Sequence, residues 1–153
     1  MTRIAIAIIS SLLLLFGPSA FAQGANWTVS EAAGTVTVGT ATATMPIRRG
    51  GQVPAGAVLS TGAGSRAVLV RGKDFMTVNA NSRVRIPVSE QKVGGLFDVV
   101  QEWGNAIFQI EKKPDPHFSV RTPYLAAVVK GTTFSITVSD QGASLQVVEG
   151  AVE

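Results

Sequence analysis

The side chains able to do acid–base, nucleophilic or metal chemistry in this 153-residue chain are few and poorly spaced for it. Its one histidine, His117, follows the turn-like run Lys113-Pro114-Asp115-Pro116, and cysteine is absent. A thiol nucleophile, an iron–sulfur cluster and a cysteine-based zinc site are thereby excluded. A zinc on His117 would need carboxylates or waters for its other positions. Asp74, Asp98, Asp115 and Asp140 stand singly beside turns, where a short carboxylate commonly caps the backbone. A glycosidase requires two carboxylates converging to about 5–9 Å, and nothing in the spacing demonstrates such a pair. There is no Gly-x-Ser-x-Gly elbow, and Gly62-Ala63-Gly64-Ser65 lacks the Gly-Lys-Ser/Thr ending of a phosphate loop. These residues predict no catalytic group, no metal and no cofactor. Trp27 and Trp103 read as core or capping residues, because large aromatics most often serve packing.

Residue types suited to binding are better placed. Arg66, Arg71, Lys73, Arg83 and Arg85 fall within one stretch, ahead of the acidic Glu90, Asp98, Glu102 and Glu111. If their outward faces align, they form a basic stripe able to meet an acidic envelope protein or an anionic glycan. The plainer alternative is a solvated sheet face whose charges discourage edge pairing. Without Arg3, the 13 Lys+Arg become 12, against 10 Asp+Glu. So mild an excess, with no basic run longer than two, does not predict nucleic-acid binding.

The elements that must position these side chains alternate with a period of two. In Arg83–Val88 the residues Val84, Ile86 and Val88 share one face and both arginines the other; Phe134, Ile136 and Val138 repeat the pattern. That is a sheet with one buried face and one wet face. Strands are predicted at 28–31, 35–38, 41–45, 57–60, 66–71, 75–79, 83–88, 96–101, 106–111, 117–121, 125–130, 134–138 and 144–148. One short helical turn is predicted near Ser89–Val93. Gly62–Ser65, Arg71–Asp74, Asn79–Ser82 and Ser139–Gly142 supply the Gly or Asn that tight turns require. The fold class expected is all-β, with two facing sheets coiled into a short solenoid-like or jelly-roll-like sandwich.

The first 22 residues have a different character. Arg3 precedes the apolar runs Ile4–Ile9 and Leu12–Phe16, then Gly17-Pro18, with Ala20 and Ala22 flanking Phe21. This is the layout of a cleavable secretory leader, too short and too broken for a span of about 20 residues. The reading is a leader over 1–22 and one domain over 23–153, periplasmic or secreted, with no membrane span after cleavage.

Several short motifs carry a resemblance. Val58-Leu59-Ser60-Thr61-Gly62-Ala63-Gly64-Ser65 is followed much later by Phe118-Ser119-Val120-Arg121-Thr122-Pro123. Gly131-Thr132-Thr133-Phe134 comes next, then Val147-Val148-Glu149-Gly150-Ala151-Val152. Over about residues 50–152 this resembles the FecR-type domain of bacterial iron-dicitrate sensor proteins. In that family a Thr-Pro begins a strand, a Gly-Thr-x-Phe joins two strands and a Glu-Gly-x-Val closes the unit. The resemblance implies an architectural role for Thr61, Gly62, Ser65, Thr122, Pro123, Gly131, Thr132, Phe134, Glu149 and Gly150. It implies a non-catalytic periplasmic sensing or interaction domain that binds a protein or an envelope glycan, linked to iron-uptake signalling. The leader, and a chain that closes on the last motif, favour a free periplasmic domain over a one-pass regulator of a sigma factor. The alternatives are a glycan-acting enzyme using an Asp/Glu pair and a purely structural envelope module.

Overall fold

The computed structural model describes residues 26–88 and 96–152; the leader and the helical turn expected near Ser89–Val93 lie outside them. The described residues form strands and turns with no helix, as the period-two pattern requires. The first half contains Trp27–Ala33 (β1), Val36–Gly39 (β2), Thr44–Pro46 (β3), Gln52–Val53 (β4) and Val58–Thr61 (β5). Arg66–Arg71 (β6), Asp74–Val78 (β7) and Arg83–Arg85 (β8) follow, then the long Phe97–Gln109 (β9). Phe118–Arg121 (β10), Ala126–Val129 (β11), Thr133–Ser139 (β12) and Gly142–Glu149 (β13) complete the chain.

These strands make one strongly curled open sheet with two halves, and β9 belongs to both. The end of β9 pairs antiparallel with β7 and β12, giving a first half ordered β4-β1-β6-β7-β9-β12-β13. The start of β9 pairs antiparallel with β8 and parallel with β10, giving a second half ordered β3-β2-β5-β8-β9-β10-β11. Two strands were expected at 96–101 and 106–111; the chain instead runs straight through as one. Gly104 makes that possible at φ +83°, where a Cβ would overlap Ser82 Oγ and lie 2.6 Å from Asn81 O. A glycine inside a strand pattern often marks a close backbone approach rather than a break.

The two halves meet across a shared apolar core. Phe108 of the first half lies 6.1 Å from Phe118 of the second and stacks on Phe134 at 5.1 Å. Trp27 meets Phe97 and Phe118 edge-on at 6.2 and 6.4 Å. Such pairs add about 0.5–1.5 kcal/mol each beyond the area they bury. Where β9 crosses between halves, a buried polar belt replaces apolar packing. Gln101 Nε2 donates to Gly104 O and Ile136 O, and Ser82 Oγ donates to Ala80 O while accepting from Asn105 N. Bending the ladder frees backbone groups, and these side chains satisfy them.

Some local expectations fail for identifiable reasons. Residues 40–43 form a turn closed by Thr40 N donating to Ala43 O, so β3 begins at Thr44. The two-residue β4 was not expected, since two residues carry no period. Val88 is exposed, because β8 stops at Arg85. Trp27 is fully buried, but Trp103 is 45% exposed. A bulge against β8 places Trp103 opposite Arg83, with Gln101 opposite Val84, and one inserted residue shifts the faces of the strand.

Candidate interaction surface

The five basic residues of the expected stripe do not form one. Arg66 and Arg71 lie on β6 and Lys73 in the β6–β7 turn, all in the first half; Arg83 and Arg85 lie on β8 in the second. Alternation separates even the two on β6. Ala67, Leu69 and Arg71 share the inward parity, while Arg66 faces outward with Val68 and Val70. Arg71 therefore turns into the core. Its guanidinium carbon sits 3.4 Å from the Phe97 ring centroid and 5.1 Å from that of Trp27. Its Nη2 is 2.8 Å from Asp74 Oδ2, and Asp74 Oδ1 accepts from Glu111 N at 2.9 Å. Burial pulls the Arg71 guanidinium below its usual range, and the hydrogen bond and charge of Asp74 oppose that pull.

The other cations differ in exposure and pairing. Lys73 reaches Glu111 at 3.0 Å, and Lys113 approaches the same carboxylate at 3.9 Å. Arg83 and Arg85 share Glu102, with Arg83 Nε at 2.9 Å and Arg85 Nε at 2.8 Å. Among the described residues no carboxylate pairs with Arg66. The outer face around β8, β9 and β10 nevertheless gathers a distinctive set. Arg83 stands opposite the exposed Trp103, and Arg85, Val100 and Arg121 line up across three strands. Arg121 closes the row on Asp98 at 3.2 Å. Directly opposed residues in neighbouring strands project from the same face, so three half-exposed arginines, one of them opposite Trp103, lie on this face with Glu102, which two of them share, and Asp98, which holds the third. Sequence reading missed Trp103, Glu102 and Arg121 as members of this face. The available signal was Gly104, whose place inside a strand marks an irregularity that resets alternation.

The motif residues serve the backbone. Thr61 Oγ1 donates to Asn79 O and accepts from Ser82 N at 3.0 Å. Gly62 N donates to Thr35 O at 2.9 Å, and Ser65 Oγ accepts from Thr35 N at 2.8 Å, which fastens the β5–β6 turn to the β1–β2 turn. Thr122 Oγ1 accepts from Tyr124 N and Leu125 N. Thr122-Pro123 thus lies in the turn after β10, not at a strand start, since a proline there lacks a donor to waste. Gly131 and Thr132 carry the chain from β11 in one half to β12 in the other. Gly131 has φ +143°, and a Cβ there would overlap Lys112 Cα. Thr132 Oγ1 donates to Ala151 O at 2.7 Å, Phe134 is fully buried, and Gly150 turns at φ +94°. Glu149 is exposed at the end of β13, opposite Thr133.

Among the described residues, the groups that could do chemistry are isolated or tied to a cation. His117 is half-buried just before β10, its Nδ1 3.2 Å from Asp115 O. Asp74 and Glu111 are neighbours, yet Arg71 holds one and Lys73 and Lys113 hold the other. Among the described residues no three His, Asp or Glu side chains cluster as metal ligands would. A depression of ≈ 240 Å³ on the β12–β13 hairpin is lined by Thr137, Ser139, Gln141, Gly142, Ala143 and Ser144, none of them titratable. Nor, among the described residues, is any helix long and apolar enough to cross a membrane.

In comparison with known proteins, residues 57–153 fit the family model described as FecR protein. No curated protein and no solved structure matches the chain.

Proposed function

Because the chain belongs to the FecR protein family, we propose that it is a non-catalytic sensing or interaction domain of the bacterial envelope that docks an acidic protein surface. The family is associated with iron-uptake signalling, is not known for enzymes, and its domains typically face the periplasm. The supporting observation is the outer face carrying Trp103 among Arg83, Arg85 and Arg121. Tryptophan and arginine are the residue types that most often carry interface energy. The glycan-acting alternative has less support, because Asp74, Asp98, Glu102 and Glu111 are each committed to a cation.

The test is capture of envelope proteins by the tagged domain, with Arg83→Glu/Arg85→Glu and Trp103→Ala as variants, beside a panel of anionic glycans. The expected result is a captured protein that both variants lose and that salt weakens, with melting curves nearly unchanged. Undiminished capture by both variants, or binding confined to a glycan, would overturn the reading.

A further inference from the structure

The four edges of the curled sheet are not protected alike. In the first half β4 is only two residues long; in the second, β3 has three residues ending in Pro46, and β11 has four followed by Lys130. Short length, proline and lysine are the usual means by which proteins keep an edge from pairing. Strand β13 has none of them. It runs for eight residues, Gly142–Glu149, pairs among the described residues only with β12, and carries no charge before Glu149. Residues 150–152 turn away from the edge: Gly150 turns, and Ala151 O is held by Thr132 Oγ1.

We infer that this edge pairs antiparallel with the β13 edge of a second copy, so that two curled sheets join as one across a two-fold axis centred on Leu145. The inference uses a surface other than the arginine–tryptophan face. Register carries it. Ala143, Leu145 and Val147 face inward beside Val138, Ile136 and Phe134, while Ser144 and Gln146 face outward beside Thr137 and Ser135. With Leu145 opposite the second copy's Leu145, Ala143 stands opposite its Val147 and Ser144 opposite its Gln146. Small meets large on the core side, and hydroxyl meets amide on the wet side. Val147 is 40% exposed and Val148 71%; Val148 then lies over the second copy's Gly142, the one position on β13 with no side chain. The antiparallel sense keeps the two Glu149 carboxylates at opposite ends. A neutral edge offers nothing for a charged foreign strand to read, whereas its own sequence complements it at every position from 142 to 148. Paired with itself, it is an isologous C2 interface, the commonest kind.

The test is the mass of the purified protein by light scattering and sedimentation across a dilution series. Wild type is expected to show twice the chain mass, falling to one chain on dilution. Ser144→Lys with Gln146→Lys sets lysine against lysine twice across the axis, and this variant is expected to be a monomer with an unaltered melting curve. Ser144→Lys with Gln146→Glu sets lysine against glutamate twice and is expected to restore the doubled mass, which a mere change of surface polarity could not do. A monomeric wild type overturns the inference, including one whose β13 edge captures a different protein. A dimer indifferent to the paired lysines overturns it as well.

Discussion

Replacing Arg71 by methionine tests whether this residue holds the core or meets a partner. The change keeps an unbranched stem but removes the guanidinium stacked 3.4 Å from the Phe97 centroid and paired at 2.8 Å with Asp74. Loss of a desolvated cation–π contact costs about 0.5–2 kcal/mol. Asp74, only 5% exposed, keeps the Glu111 N–H but loses its counter-charge, and stranding one member of a buried pair costs about 3–5 kcal/mol. Because 18% of the Arg71 side chain reaches solvent, the lower end applies, and we expect a loss of about 3 kcal/mol. Lysine should recover less than half of this, since a compact ammonium cannot lie flat on a ring and pair sideways with a carboxylate. Asp74→Asn measured alone and with Arg71→Met closes a double-mutant cycle, with an expected coupling of about 1–3 kcal/mol. Urea unfolding followed by circular dichroism reads all four proteins. A methionine variant within about 0.5 kcal/mol of wild type that nevertheless loses its envelope partner would refute this reasoning and return Arg71 to the binding surface.

Other perturbations separate backbone strain from ordinary contacts. Gly131→Ala should cost about 3 kcal/mol or more, from a strained angle plus overlap with Lys112. Gly72→Ala, at φ +60° with nothing within 4 Å, should cost about 1–2 kcal/mol; equal urea midpoints for the two would show that the close approach to Lys112 is not real. Gly104→Ala should be at least as damaging as Gly131→Ala, since Asn81 O blocks the added carbon, and a folded, native-like spectrum at unchanged stability would disprove the through-running β9. Thr61→Val strands the Ser82 N–H and should cost about 1–3 kcal/mol by the same assay. Arg85→Ala, at an exposed pair, should stay within about 1 kcal/mol.

The amino-acid order alone settled the all-β class, because apolar residues at every second position can be buried only by strands. It placed β6 within its observed bounds and Phe134, Ile136 and Val138 on the core side, and the motif pieces carried the family. Gly131 was legible as a tight bend because only glycine occupies that backbone region at low cost. What alternation could not convey was where it resets. The bulge at Arg83–Val84 and the passage through Gly104 are set by which strands become neighbours, and they decide that Trp103 faces water while Gln101 faces the core. The expected basic stripe dissolved for the same kind of reason. Charges close in sequence were divided between opposite faces of β6 and between two halves of a curled sheet, and the carboxylates that pair with Lys73, Arg83 and Arg85 arrived from 17 or more residues away, as Glu102 does for Arg85. Parity along one strand is local and can be read from a sequence. Register between strands, the pairing of distant charges and the openness of the β13 edge are properties of the neighbours each strand acquires, and only folding supplies those.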